Sequence, residues 1–407
     1  MLNLTSFAAG AIFVATYAFL AVGKIPVYRI DRAGAALLGG SLMVGVGVLS
    51  AEEAYAAIDF DTITLLLGMM IVVGNLRVSG FFRLVNGWVA TNVRHPLTLL
   101  VAIVLTSGLL SAFLVNDTIC LVMTPLALDL VTRLKRNPIP YLLAIATASN
   151  IGSAATITGN PQNMIIGSLS HIPYSAFAAA LAPVAVIGLV ITTLLIALVY
   201  RSEFFTRERF EKSALPAHYH GPLLLKTITV LVSMVILFLI GQPVARVAIV
   251  GGAFLLLTRR VKPQKIYREI DWPLLVMFMG LFIVIGGFEK AIITPEAAAV
   301  GRLHLDNTAV LVGVTVILSN VVSNVPAVLV LKPFIPTLSD PQRAWFVVAM
   351  AATFAGNLTL VGSVANLIVA QRAKARGVEI SFSAYFKVGA PLTFITVLIG
   401  MLWLASI

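Results

Sequence analysis

Leu4 to Val22 contains no charged side chain, and the sequence returns to that condition again and again. Comparable apolar runs cover residues 33–49, 63–76, 177–200, 223–240, 247–257, 274–288 and 382–404. A helix that crosses the hydrocarbon core of a bilayer needs about 20 mostly apolar residues. These runs therefore predict an all-α polytopic membrane protein. Composition agrees: 11% of the 407 residues are charged, against about a quarter in a soluble domain. The formal charge of +11 first reports orientation in such a chain and gives no support to nucleic-acid binding. A single cysteine, Cys120, excludes a disulfide framework and a thiolate metal cluster. The first run has no basic stretch before it and no evident cleavage site, so it is expected to be a span and not a signal peptide.

Four segments do not fit as simple spans. An apolar stretch at about 98–131 is broken by Leu114-Val115-Asn116-Asp117-Thr118, and another at about 310–336 by Ser319 through Pro326. Each is expected to be a re-entrant hairpin that enters and leaves on one side. Two longer polar, Gly-rich interruptions lie at 148–163 and 355–366, within apolar segments at about 140–170 and 343–371. Irregular backbone at membrane depth is tolerated only when buried in protein or lining a wet cavity. Both segments are expected to be discontinuous helices with unwound centres.

With hairpins counted as non-crossing and broken helices as crossing once, the chain makes ten crossings. Lys and Arg then divide 23 to 5 between the two sides, a strong positive-inside asymmetry. Both termini are expected outside the cytoplasm of a cell (inner) membrane, with 201–221 as a cytoplasmic linker. The sequence also repeats itself. At one constant offset Gly39-Gly40 matches Gly251-Gly252, Tyr55 matches Tyr267, Ile58-Asp59 matches Ile270-Asp271, and Gly68 and Gly74 match Gly280 and Gly286. With small indels, Ser111, Asn116 and Pro125 fall on Ser319, Asn324 and Pro333. Gly159 and Asn163 fall on Gly362 and Asn366, and Ala182-Pro183 on Ala390-Pro391. Residues 1–200 and 222–407 are thus expected to be two repeats of five crossings, and an odd number inverts the second relative to the first. Inverted repeats with discontinuous helices are the architecture of secondary transporters, with the site near the midplane. A channel is the structural rival.

Four polar clusters should then converge. The hairpin tips offer Asn116, Asp117 and Thr118, and Asn320, Ser323 and Asn324. The breaks offer Asn150, Ser153, Thr156, Thr158, Gly159, Asn160 and Asn163, against Asn357, Thr359, Gly362, Ser363 and Asn366. Half-helix N-termini present free N–H groups to an anion, and unwound carbonyls can hold a cation. Asn and Thr add hydrogen bonds with no net charge to desolvate. The bland alternative makes these residues caps and packing at helix breaks. Asp117 is the single carboxylate in the set, and a charge at the bilayer centre costs about 2.5–3.5 kcal/mol even on the lenient insertion scale. It is the candidate coupling group, exchanging a proton or helping to hold Na⁺. Its structural alternative is a carboxylate that caps backbone N–H groups.

Other residues invite plainer readings. Arg77 and Glu289 occupy equivalent repeat positions and read as snorkelling side chains. Asp129 is expected near the interface beside Arg133. His218 and His220 read as solvated linker, and Cys120 as a small packing residue. An intramembrane enzyme lacks support: the sequence has neither His-Glu-x-x-His nor Gly-x-Gly-Asp. No cofactor or structural metal is expected.

At these residues the sequence resembles a known group. Ser149-Asn150-Ile151-Gly152-Ser153, then Gly159-Asn160-Pro161-Gln162-Asn163, with Val115-Asn116-Asp117-Thr118 before them, is similar to the ion transporter superfamily. The pattern is closest to the arsenite permease type and the plant silicon efflux transporters, with citrate–metal and sodium–dicarboxylate carriers more distant. The resemblance implies a mobile transport domain of two hairpins and two broken helices. It also implies a scaffold that forms a homodimer, and elevator-like alternating access. It places Asn116, Asn150, Thr158 and Asn163 around one half-site and Asn324, Thr359 and Asn366 around the other. The second half departs from the sodium–dicarboxylate pattern, with Ala355-Gly356-Asn357-Leu358-Thr359 and with Val325 opposite Asp117. One carboxylate favours proton coupling over paired Na⁺ sites. A neutral weak acid, arsenous or silicic, suits an amide- and hydroxyl-lined pocket, and proton-driven efflux by antiport is the first expectation. A cation-coupled carboxylate or other anion carrier is the second.

Overall fold

The computed structural model describes residues 4–22, 30–207, 209–210, 219–259, 261–293 and 304–407. Among the described residues it is all-helical. The first half runs α1 (Leu4–Val22), α2 (Arg32–Gly45), α3 (Ala51–Ala57), α4 (Phe60–Ser79) and α5 (Phe81–Asn92). It continues with α6 (Pro96–Phe113), α7 (Asn116–Arg133), α8 (Pro138–Ser153), α9 (Pro161–Ser170) and α10 (Tyr174–Val199). A short α11 (Arg201–Phe204) leads into the linker. The second half runs α12 (Gly221–Leu239), α13 (Val244–Leu256), α14 (Pro263–Tyr267), α15 (Trp272–Ile292) and α16 (Thr308–Val322). It ends with α17 (Asn324–Leu331), α18 (Pro341–Ala355), α19 (Val364–Lys374) and α20 (Phe382–Ser406). Seven of these are long and apolar enough to cross a membrane: α1, α4, α6, α10, α12, α15 and α20. The protein is a multi-pass membrane protein.

Local chemistry sets the boundaries. Asn137, Asn160 and Asp340 each precede a proline and cap the helix that follows through a side-chain oxygen, joining a polar N-cap to a proline at N1. The stretch 98–131 is indeed two helices, α6 and α7, joined at Leu114 and Val115. In the second half the join shrinks to one residue, Ser323, held at φ +79° between α16 and α17. Sequence reading places the tip across 319–326. The helix instead runs on through Asn320, whose amide Nδ2 donates back to Val316 O at 3.0 Å. The two longer interruptions lie between α8 and α9 and between α18 and α19.

The two halves of the sequence interleave in space. Helix α2 packs on α15, and α4 packs on α13. Both crossings are made by glycines that let backbones touch. A Cβ on Gly68 would lie 2.5 Å from the carbonyl carbon of Ala248, and one on Gly280 would lie 2.4 Å from that of Ala36. The reciprocal contacts, Gly40 to Gly280 O and Gly252 to Gly68 O, would measure 3.2 and 3.1 Å. Repeat-equivalent residues therefore meet in exchanged pairs, as two packed copies of one unit do.

Three side-chain readings are corrected here. Arg77 is ion-paired with Glu269, and Glu289 with Lys332 at 3.2 Å, so neither simply snorkels. Asp129 pairs with Arg376 of the other half and not with Arg133. Position 218 lies outside the described residues, and the His220 amide donates to Ser79 O at 2.9 Å. Cys120 is buried with Sγ 2.9 Å from Ser149 Oγ, packed against α8.

Candidate functional site

The first hairpin tip and both helix breaks meet around one buried amide, Asn150. Its Oδ1 accepts from Asn116 Nδ2 at 3.0 Å and from Ser363 Oγ at 3.2 Å. Its Nδ2 donates to Asn357 Oδ1 at 2.9 Å and Asn366 Oδ1 at 3.1 Å. Asn150, Asn357 and Asn366 have no solvent exposure, and one side chain ties hairpin one to both breaks.

Each break is laced by its own asparagine. Asn163 Nδ2 donates to the carbonyls of Ser153 at 3.2 Å and Thr156 at 3.0 Å. Asn366 Nδ2 donates to the equivalent carbonyls of Gly356 at 2.7 Å and Thr359 at 3.1 Å. Unwinding frees carbonyls that must find donors once buried, and these amides supply them. The breaks also bond to each other. Asn160 Nδ2 donates to Thr353 Oγ1 at 3.2 Å, which mirrors the bond from Ser363 to Asn150. Gly159 lets its segment lie against Ser153 O, where a Cβ would sit 2.0 Å away; at Gly362 a Cβ would sit 2.9 Å from Asn320 Oδ1.

The expected residues separate into two sets. Asn116, Asp117, Asn320, Ser323, Asn324 and Ser363 line a cavity of about 670 Å³. Ser153, Thr156, Thr158, Asn160 and Asn163 are buried behind it as structural ties. Thr156 Oγ1 bonds Ala112 O, and Thr158 Oγ1 lies 3.0 Å from the Tyr174 hydroxyl. Thr359 contributes its carbonyl to the lacing of the second break. Thr118 stands in the first turn of α7, outside the cavity lining.

Asp117 is half-buried at the cavity wall. The helix it opens is capped at Val115 without a side-chain bond, so the carboxylate does not act as a cap. Among the described residues it has no hydrogen-bond or ion-pair partner. Its place in the first turn of α7 sets it at the positive end of the helix dipole. Asn116 Oδ1 is buried beside it and also lacks a partner, leaving one acceptor free for a ligand.

Residues that sequence reasoning did not assign to the site complete the cavity. Gln162 joins the floor, donating to Thr353 Oγ1 at 3.2 Å. Asp31, Arg32, Asp271 and Gln371 stand at the mouth. A signal for Asp271 was present, since it is one of the repeat matches, and Gln162 lies inside the Gly-Asn-Pro-Gln-Asn motif. Arg32 carried none.

Long apolar helices around a polar cavity that both halves line define a membrane transporter. The chain belongs to the citrate transporter (CitMHS) family, whose model matches residues 17–355, within the ion transporter superfamily. It is 31% identical to a 46 kDa membrane protein of Mycobacterium leprae, over 97% of this chain and 96% of that one. It is 29% identical to the silicon efflux transporter LSI3 of Oryza sativa, over 96% of each chain. Identity to the putative transporter arsB of Dictyostelium discoideum is 25%, over 96% of this chain and 90% of that one. Among solved structures, the YdaH transporter of Alcanivorax borkumensis shares the fold with a TM-score of 0.64. It covers 99% of this chain and 98% of that one, at 14% identity.

Proposed function

We propose that this protein is a proton-coupled secondary transporter that exports a small neutral weak acid, arsenous or silicic, by antiport. Carrying the reading is the lining of the cavity floor: amides and hydroxyls from both halves, with Asp117 as the one carboxylate among them. A neutral hydroxylated solute can exchange its water hydrogen bonds for these groups without the desolvation cost a polyanion bears. Asp117, free of protein partners, is the proton-exchanging group. The repeats are inverted, and the unit of hairpins and breaks moves against the remaining helices, as in an elevator. The protein works as a homodimer in the cell inner membrane, with both termini outside the cytoplasm. On the side that the charge asymmetry makes cytoplasmic stand Asp31, Arg32, Asp271 and Gln371, so the cavity opens inward.

One observation favours a second reading, a cation-coupled carboxylate carrier. Arg32 stands at the mouth, where it can attract an anion, and the family model is described by citrate. Counterflow in proteoliposomes separates the two, using arsenite, silicic acid, succinate and citrate with and without a pH or Na⁺ gradient. The first reading expects arsenite or silicic acid exchange that responds to pH. Succinate or citrate uptake that requires Na⁺ overturns it, and unsaturable ohmic current indicates a channel.

A further inference from the structure

The two repeats hold one equivalent contact in two different states. Asp59 caps α4, its Oδ1 taking the amides of Asp61 at 3.1 Å and Thr62 at 3.2 Å. The same oxygen accepts from Ser168 Oγ, in the last turn of α9, at 2.9 Å. Asp271 is the repeat counterpart of Asp59 and caps α15 in the same manner, taking the Leu274 amide at 3.1 Å. Aligning α9 with α19 on Asn163 and Asn366 sets Gln371 in the place of Ser168. Here the symmetry fails. Asp271 and Gln371 make no hydrogen bond with each other; both are exposed and both line the cavity. Asp59 and Ser168 are half-buried.

Reach does not explain the difference. A glutamine amide extends further than a serine hydroxyl, yet it is the longer side chain whose contact is missing. What differs is the separation of the elements: the cavity lies between α15 and α19, while α4 and α9 are closed on each other. Each aspartate is fixed by its helix N-terminus and offers a charge-assisted acceptor to whichever donor arrives.

We infer that Asp59–Ser168 and Asp271–Gln371 are the two gates of this transporter, the first closed and the second open in this structure. They exchange states as the cavity changes sides. The inference rests on the transporter reading above, but its test needs no substrate.

In membrane vesicles, Asp271→Cys/Gln371→Cys and Asp59→Cys/Ser168→Cys are treated with mercuric ion, and free thiols are counted with maleimide. Cys120 is buried and is followed in the unsubstituted protein. Both pairs are expected to lose two thiols for each mercuric ion bound, restored by dithiothreitol, with the 271/371 pair bridging although it makes no contact here. Single-cysteine controls should show no bridge. If the 59/168 thiols bridge while the 271/371 thiols stay separately reactive, the inference is overturned. A second measurement guards against misfolded double variants. A reporter Val361→Cys in the cavity is labelled from the cytoplasmic side with an impermeant maleimide. Losing the donor in Ser168→Ala should slow labelling at least about tenfold relative to Gln371→Ala, the ratio expected for one charge-assisted hydrogen bond. Equal rates refute the gates. Absence of counterflow for every solute, with bridging intact, would refute only the choice of cargo.

Discussion

Replacing Asn150 with alanine should damage this protein more than any other single amide removed from the site. The side chain makes four hydrogen bonds, to Asn116, Ser363, Asn357 and Asn366. Asn116 lines the cavity, so water can take over its lost bond. Ser363 lines it too and can likewise turn to water, whereas Asn357 and Asn366 are fully buried and each would be left with an unmet polar atom. A buried group stripped of its partner costs about 1–3 kcal/mol. Two of them give about 2 kcal/mol at the low end, before any cavity term, and water entering the gap keeps the total near that end. Thermal unfolding of detergent-solubilised protein, followed by size-exclusion fluorescence, should show a clear fall in the midpoint. Asn150→Asp, which keeps the shape and the acceptor but replaces the donor facing two carbonyl oxygens, should be comparably unstable. Solute exchange should fall with stability in both. An alanine variant with an unchanged midpoint and full exchange would refute the idea that this amide holds the first hairpin tip and the two breaks together.

Asp117→Asn should keep solute exchange and lose its response to a pH gradient in proteoliposomes; a full response would remove the coupling role. Ser323→Gly should raise the unfolding midpoint by the equivalent of about 1 kcal/mol, because glycine relieves the positive φ at the tip. Gly68→Val and Gly280→Val should each destabilise by at least about 2 kcal/mol through overpacking, and to a similar extent, since the contacts are repeat-equivalent. Glu203→Ala should cost about 3 kcal/mol, measured as loss of folded protein on heating. It removes the carboxylate of a nearly buried pair, in which Glu203 Oε1 meets Arg136 at 2.8 Å and Tyr141 at 2.9 Å.

Much of this was legible in the sequence because the membrane simplifies the code. An apolar run predicts a helix, and a polar run inside it predicts a break. The run 4–22 coincides with α1, and both breaks fall where Gly and Asn cluster, the first with Pro161 as well. Legibility ended where one residue decides. The tip of the second hairpin is a lone serine in a left-handed conformation, and the polar neighbour Asn320 stays helical by bonding back along its own helix. Helix α5 was missed because it is short and amphipathic, with buried Phe82, Val89 and Ala90 opposite exposed Arg83 and Trp88. The repeat was visible as matched glycines, but not that α2 would pack on α15 and α4 on α13. That pairing is a property of how two copies close on each other. Asp117 illustrates the division well: its isolation among amides could be read, whereas its lack of a capping bond required coordinates.

The distribution of polar contacts bears on what can move. Within the hairpins and breaks most links are buried, and the unwound carbonyls accept from Asn163 and Asn366 inside each break. Changing the internal shape of this unit would leave several buried groups unmet at once, at about 1–3 kcal/mol each. At its edge towards α1, α4 and α15 the polar contacts are few and separate. Ser168 meets Asp59, Lys332 meets Glu289, and the Tyr17 hydroxyl donates to Pro326 O at 3.3 Å. These can be given up one by one, and the first has a counterpart waiting in Asp271 and Gln371. A displacement of the whole unit is therefore cheaper than a rearrangement within it. That cost difference supports rigid-body alternation over local gating around a fixed cage, and it holds whichever solute the cavity carries.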